Sequence, residues 1–288
     1  MFGSTFLVLW MFVLSIDQTD ASTATGFGTE WGYTQKDGPN SKDPNWPELC
    51  HSGKHQSPIN IDPSSVVKNE SFSSLVFTGY NHPGPVTITN NGHSVTATGF
   101  DKWGSGSLTP YITGGGLYGK YNLINFHLHW GEDNTLGSEH QLNFVPFPLE
   151  AHFVHQRADL NATQSLLVPD GLAVVAVWFI LDNRNPAPLK QLDDAYESID
   201  PFNTTVTLNV TLSDMIPANT AAFYRYSGSL TTPGCNEALV WSIMNHTMTV
   251  ANYQLKQLRQ HNTELNHKLK HNYRNLQELN GRVVLRNG

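Results

Sequence analysis

The stretch Asn125-Phe126-His127-Leu128-His129-Trp130-Gly131 constrains this chain more than any other. It is an apolar, aromatic run interrupted at alternate positions by imidazoles and closed by Gly131 and the polar Glu132-Asp133-Asn134, which reads as a β-strand ending in a turn. Successive side chains on a strand leave opposite faces. His127 and His129 therefore share one face, while Phe126, Leu128 and Trp130 share the other. Two imidazoles so placed can hold one small cation between them. The same pattern occurs more often on a surface or in a satisfied core, so the pair needs partners before it means a metal.

The rest of the chain reads as mainly β, of α+β type. Short apolar runs (Ile59-Asn60-Ile61, Leu75-Val76-Phe77, Val86-Thr87-Ile88, Val206 to Val210) alternate with turn dipeptides such as Asp37-Gly38, Asn91-Gly92 and Asn280-Gly281. Gly171 to Leu181, eleven residues long, is too short for a membrane span and reads as a buried strand. Helical spacing marks Leu189, Leu192, Tyr196 and Ile199 after Pro188, and Leu255 and Leu258 after Asn252, read as an N-cap. Residues from about Ser22 to Pro47 form an irregular segment whose aromatics, Trp31, Tyr33 and Trp46, dock on a core. No linker or change of composition divides 28–286, so one domain is expected there. A net charge of −7 with no basic patch argues against a nucleic-acid partner.

The start of the chain reads separately. Phe6 to Ile16 has the length of a secretory h-region and is followed by Ala21, Ser22 and Ala24, so 1–21 is expected to be a signal peptide cleaved near 21–24. It departs from the usual pattern in having no Lys or Arg before Lys36. Five Asn-x-Ser/Thr sites, at Asn69, Asn161, Asn203, Asn209 and Asn245, are candidates for glycosylation in an exported chain. The two cysteines, Cys50 and Cys235, suggest one disulfide in an oxidising compartment, with two buried thiols as the alternative. The last residues, Val283 to Gly288, carry no apolar tail, so no transmembrane or lipid anchor is expected and the protein reads as secreted and extracellular.

Partners for the histidine pair lie just downstream, in Ser138-Glu139-His140 and Glu150-Ala151-His152-Phe153-Val154-His155. On a strand Glu150, His152 and Val154 share a face. A third imidazole from a neighbouring strand would leave a divalent zinc with one open position, the arrangement of catalytic rather than structural sites. A carboxylate such as Glu150 would accept the far N–H of a ligand histidine and fix its tautomer.

These blocks resemble the α-class carbonic anhydrases. The resemblance runs over nearly all of the mature chain, through Trp31-Gly32-Tyr33, Gln56 to Ile61, Asn90-Asn91-Gly92-His93, the histidine blocks, Tyr226 to Pro233 and Asn272-Tyr273-Arg274. It implies a fold built on a large twisted, mostly antiparallel mixed sheet with a few surface helices. It also implies a zinc enzyme that hydrates carbon dioxide reversibly to bicarbonate and a proton, through zinc-bound hydroxide and a histidine shuttle. Carried over by position, His127, His129 and His152 resemble the zinc ligands. Asn125, Glu150 and Asn272 resemble the acceptors behind them, with Asn125 standing where many relatives have Gln. Thr231 resembles the residue that orients the hydroxide and donates its own proton to Glu139, and Thr232 stands beside it. Val154, Val174, Leu230 and Trp241 resemble the apolar wall that carbon dioxide meets. His93 resembles the proton shuttle, with Tyr33, Asn91 and Thr96 ordering its waters; Thr96 replaces an Asn of some relatives. Cys50 and Cys235 match the disulfide of exported relatives, which would brace the segment holding Thr231.

The competing expectation is a non-catalytic relative acting as a binding or matrix module. Such relatives typically lack a ligand histidine, and all three are present here. A zinc peptidase is disfavoured because His-Glu-x-x-His is absent. The sequence leaves the oligomeric state open between monomer and dimer.

Overall fold

The strand expected at the histidine pair extends from Tyr121 to Trp130 and lies in the middle of the main sheet of the computed structural model. The structure describes residues 31–33, 46–185 and 187–287; the expected leader at 1–21, its cleavage near 21–24 and the Asp37-Gly38 turn lie outside the described residues. The strands that build the site are β1 (Gly84–Asn90), β2 (Val95–Thr98), β3 (Tyr121–Trp130), β4 (Leu149–Arg157), β5 (Leu172–Leu181), β6 (Thr205–Val210), β7 (Phe223–Gly228) and β8 (Leu239–Met244). They run side by side in the order β6-β1-β2-β3-β4-β5-β8-β7, within a sheet of thirteen strands among the described residues. The β5–β8 pair is parallel and the other neighbours on this path are antiparallel, the mixed, mostly antiparallel sheet that was expected.

Register decides which face each side chain takes. In the β3–β4 pair His127 lies opposite His152, His129 opposite Glu150, and Phe126 opposite Phe153. Phe126, Leu128, Ala151, Phe153, Val175 and Val177 thus enter one hydrophobic core, while Val154, Val174, Trp241 and Tyr226 enter a second core on the face that carries the histidines. The phase is reset by a bulge. Leu123 faces His155 and Asn125 faces Val154, so Ile124 is an extra residue on β3. Tyr121 and Leu123 before the bulge and Phe126, Leu128 and Trp130 after it all join the first core. A strand without the extra residue would turn one of these sets to the opposite face, since a one-residue slip inverts a strand. Ile124 therefore lets β3 be apolar behind and imidazole-bearing in front.

Two expectations about helices are corrected. Leu189, Leu192, Tyr196 and Ile199 are all fully buried. They lie on two short helices, α1 (Ala187–Lys190) and α2 (Asp193–Ser198), and in the residues flanking them, rather than on one continuous helix. The break falls at Gln191-Leu192, where the Gln191 carboxamide pairs with both backbone groups of Thr211 (3.0 and 2.7 Å). Helix α3 (Asn252–Leu258) buries Leu255 and Leu258 as expected, but its N-cap is Ala251, not Asn252. Gln254 reaches back to accept the Ala251 N–H at 2.9 Å, and so satisfies a backbone donor at the start of the helix. Among the described residues no helix is long and apolar enough to cross a membrane.

One exposed turn is strained. Leu142 and Val145 exchange backbone hydrogen bonds across Asn143-Phe144, both at positive φ (51° and 60°). Such two-residue turns favour Gly second, because a Cβ in the left-handed region costs about 1–2 kcal/mol. Phe144 is 71% exposed and gains little packing in return. Phe144→Gly is expected to raise unfolding stability by about 1 kcal/mol, less the entropy that glycine brings to the unfolded chain. A drop in the urea midpoint would contradict this.

Candidate metal centre

The β3–β4 register brings His127, His129 and His152 together. Each offers a ring nitrogen within 4.8 Å of the others, and their ring centroids are 5.0, 5.2 and 4.4 Å apart. The other nitrogen of each ring is engaged. His127 Nδ1 donates to Asn125 Oδ1 (2.9 Å), His129 Nδ1 to the backbone oxygen of Asn272 (2.7 Å), and His152 Nε2 to Glu150 Oε1 (2.7 Å). A carbonyl or carboxylate oxygen only accepts, so these contacts fix where each proton sits. The lone pairs left over are Nε2, Nε2 and Nδ1. Asn125 lies next to the Ile124 bulge, and its short amide still reaches His127.

Burial and charge favour the neutral form of His127 and His152, the form a metal requires. Burial, then the neighbouring imidazoles, pushes the pKa of His127 well below its usual value, and burial followed by His129 lowers that of His152. Glu150 is fully buried, which alone would raise its pKa, but His140 and His152 outweigh burial and hold the carboxyl far below the usual carboxylate range. Its oxygens also accept from His140 N and Nδ1 (2.8 and 2.7 Å) and Trp178 Nε1 (3.2 Å). The chain continues from His140 Nε2 to the Tyr226 hydroxyl (2.7 Å) and on to Ser57 Oγ (2.8 Å).

Glu139 is also buried. Its Oε1 accepts from Arg274 N–H (2.8 Å), which aims Oε2 at His129 Nε2 (3.7 Å) and His152 Nδ1 (3.9 Å). The hydrogen bond expected from Thr231 to Glu139 is not formed, and Oε2 has no partner among the described residues. The carboxylate is turned toward the imidazoles instead. Two buried atoms are thus orphaned at one point, Glu139 Oε2 and His129 Nε2. Orphaned polar atoms beside converging lone pairs fit a site made for an ion.

Of the other expected residues, Thr96 lies opposite His127 in the β2–β3 pair. Val154, Val174 and Trp241 form one in-register row across β4, β5 and β8, with Leu230 packed against the same core. The Trp241 ring lies 4.7 Å from that of His152. Tyr33 is buried, and burial, followed by the charge of Glu139, raises its phenol well above the usual range. The Asn91 side chain accepts from His93 N (2.9 Å) and Ser94 N (2.7 Å) and donates to Thr96 Oγ1 (3.4 Å). The His93 ring is stacked on Trp31 at 3.9 Å. The sequons at Asn161, Asn203, Asn209 and Asn245 are exposed, and Asn69 is half-buried.

Cys50 and Cys235 form a disulfide, with Cα atoms 5.2 Å apart. Cys235 N–H donates to Thr232 O (3.0 Å), so the bridge ties down the loop that carries Thr231 and Thr232. Across a sequence separation of 185 residues, Cys50→Ser with Cys235→Ser is expected to cost roughly 2–5 kcal/mol, read from chemical denaturation at pH 7. A loss under about 1 kcal/mol would contradict that.

Sequence reasoning assigned no role to Ile124, His140, Tyr226, Ser57, Trp178 or Arg274, and gave Trp31 only a docking role on the core. The sequence does carry a signal for Ile124, since apolar residues at 121 and 123 and then at 126, 128 and 130 break their own alternation. His140, Tyr226, Ser57 and Arg274 lay within recognised blocks, but their contacts cross long separations that no local pattern encodes.

The class of protein this defines is a β-sheet protein with a three-histidine centre able to hold a metal ion. Comparison narrows the class. Residues 38–288 match the eukaryotic-type carbonic anhydrase family, and the chain belongs to that family. A provisionally named carbonic anhydrase 5 of Caenorhabditis elegans is 38% identical over 270 residues, covering 91% of this chain and 83% of that protein. Human carbonic anhydrase 7 is 34% identical over 263 residues, covering 88% and 96%, and rat carbonic anhydrase 4 is 32% identical over 249 residues, covering 84% and 78%.

Proposed function

We propose that this chain is a zinc-dependent enzyme that interconverts carbon dioxide with bicarbonate and a proton, with His127, His129 and His152 as the residues that hold the metal. The observation that carries this reading is the set of three converging lone pairs, each backed by an acceptor, beside an apolar row. A zinc ion held by three neutral imidazoles supplies a nucleophilic oxygen at neutral pH by acidifying bound water, chemistry for which carbonic anhydrases are themselves the standard example. Val154, Val174, Leu230 and Trp241 offer an uncharged substrate an uncharged wall. Glu139 keeps a buried acceptor oxygen turned toward His129 and His152, and Thr231 and Thr232 stand on the disulfide-braced loop. His93 takes the released proton and gives it to buffer, with Tyr33, Asn91 and Thr96 ordering the waters between. The disulfide supports a chain exported to an oxidising compartment.

The test is carbon dioxide hydration by the purified protein before and after zinc is stripped with a chelator, with zinc content measured in parallel. Activity that tracks zinc, and returns with it, supports the reading. An inactive, fully metallated protein would favour the binding-module reading instead.

A further inference from the structure

The turn that presents His93 is held from outside by the segment Asp200–Thr204, and we propose that Phe202 is a positioning residue for His93. This rests on the reading of His93 as the proton shuttle. Asn90 opens the turn, and three of its groups are fixed by neighbouring segments. Its N–H donates to Thr204 O (3.1 Å), its carbonyl accepts from Asn203 N–H (2.8 Å), and its Nδ2 donates to Asp200 O (3.0 Å) and Asn262 O (2.9 Å). Asn262 N–H in turn donates to Asp200 O (2.7 Å), so the two outer segments are tied to each other as well as to the turn.

At the crest is Gly92, with φ +82°. A Cβ built there would lie 2.9 Å from two ring carbons of Phe202 and 3.3 Å from Glu264 N. An edge of the Phe202 ring thus lies against the crest, with no room for a side chain between them, although the residue is 39% exposed. On the inner side Asn272 Nδ2 donates to His93 O (3.0 Å), and Trp31 covers the imidazole face. His93 therefore sits on a backbone fixed from within by Asn272 and from without by Phe202. A large apolar ring at the surface, packed on the residue next to a proton carrier, limits how far that carrier can swing. Proton passage from the site through waters to the imidazole, and from imidazolium to a buffer base, is steep in distance.

The experiment is hydration kinetics at low and high buffer concentration for wild type, Phe202→Ala, Phe202→Leu, His93→Ala and the double variant His93→Ala/Phe202→Ala, at matched zinc content. With Phe202→Ala, kcat in dilute buffer should fall by roughly 3- to 10-fold and recover in concentrated imidazole buffer, with kcat/KM unchanged. Phe202→Leu should keep most of the rate. On the His93→Ala background, Phe202→Ala should add nothing. The proposal is overturned if Phe202→Ala leaves kcat in dilute buffer unchanged, lowers kcat and kcat/KM together, or adds its full effect to His93→Ala. If His93→Ala itself shows no buffer-dependent loss, the shuttle reading fails first and takes this one with it.

Discussion

Replacing His129 by alanine is expected to abolish zinc binding and to lower carbon dioxide hydration at least about 1000-fold, since the nucleophile depends on the metal. His129 is the most informative member of the trio. It is 1% exposed, its Nδ1 is fixed on the Asn272 carbonyl, and its Nε2 has no hydrogen-bond partner among the described residues. Alanine removes a buried nitrogen whose solvation has already been given up and whose lone pair makes no hydrogen bond among the described residues. The loss should appear as absent metal, not as a raised KM, so elemental analysis and kinetics must fall together. His246→Ala is the control, because that imidazole is exposed and hydrogen-bonded to Asn219 on the surface. A His129→Ala protein that keeps one zinc per chain and the wild-type rate would remove the basis of the proposed function.

How much of this was legible beforehand follows from the range of each interaction. Strand alternation is local, so the shared face of His127 and His129, and that of Glu150, His152 and Val154, could be read directly, as could the buried β5 run. The ring of apolar residues around the site came instead from resemblance, because Val and Leu look the same in a wall as in a core. Three things escaped for physical reasons. The Gln191 clamp that breaks the helix into α1 and α2 acts through Thr211, twenty residues away. The path from Glu150 through His140 and Tyr226 to Ser57 joins segments up to 169 residues apart. The orientation of Glu139 is set by a backbone N–H of Arg274, whose guanidinium is in turn spent on Gln56 Oε1, Ser57 O and Cys50 O. Periodicity reports which face a residue takes; it does not report which of two carboxylate oxygens is left without a donor.

Glu150→Gln should produce the second large effect, even though it changes size by almost nothing. The Glu150 carboxylate accepts four hydrogen bonds while fully buried, from His140 N, His140 Nδ1, His152 Nε2 and Trp178 Nε1. A carboxylate can serve four donors because it has no proton of its own. A carboxamide replaces one oxygen by an NH2 group, which then confronts donors whichever way it is turned. Either the two N–H groups on Oε1 or the two on Oε2 lose their acceptor, at about 1–3 kcal/mol for each buried group left unsatisfied. The expected sum is a loss of about 2–5 kcal/mol at pH 7, the range for breaking a buried charged network. Zinc affinity should fall about 10- to 100-fold, the general range for such supporting partners, drawn in part from carbonic anhydrases. The metal effect arises because His152 Nε2–H loses the acceptor that keeps its Nδ1 lone pair aimed at the site. The pH dependence gives an independent check. The folded-state pKa of Glu150 lies below the ordinary carboxylate value of about 4.5, so its contribution is complete above that value and is lost as the pH falls toward the folded value. The stability gap between wild type and Glu150→Gln should therefore be constant near neutrality and close on acidification below about pH 4.5. Chelator competition for zinc and urea unfolding at pH 7 and pH 4 read both effects. A variant within twofold of wild type in zinc affinity and within about 0.5 kcal/mol in stability would mean that His152 is oriented by something other than this carboxylate.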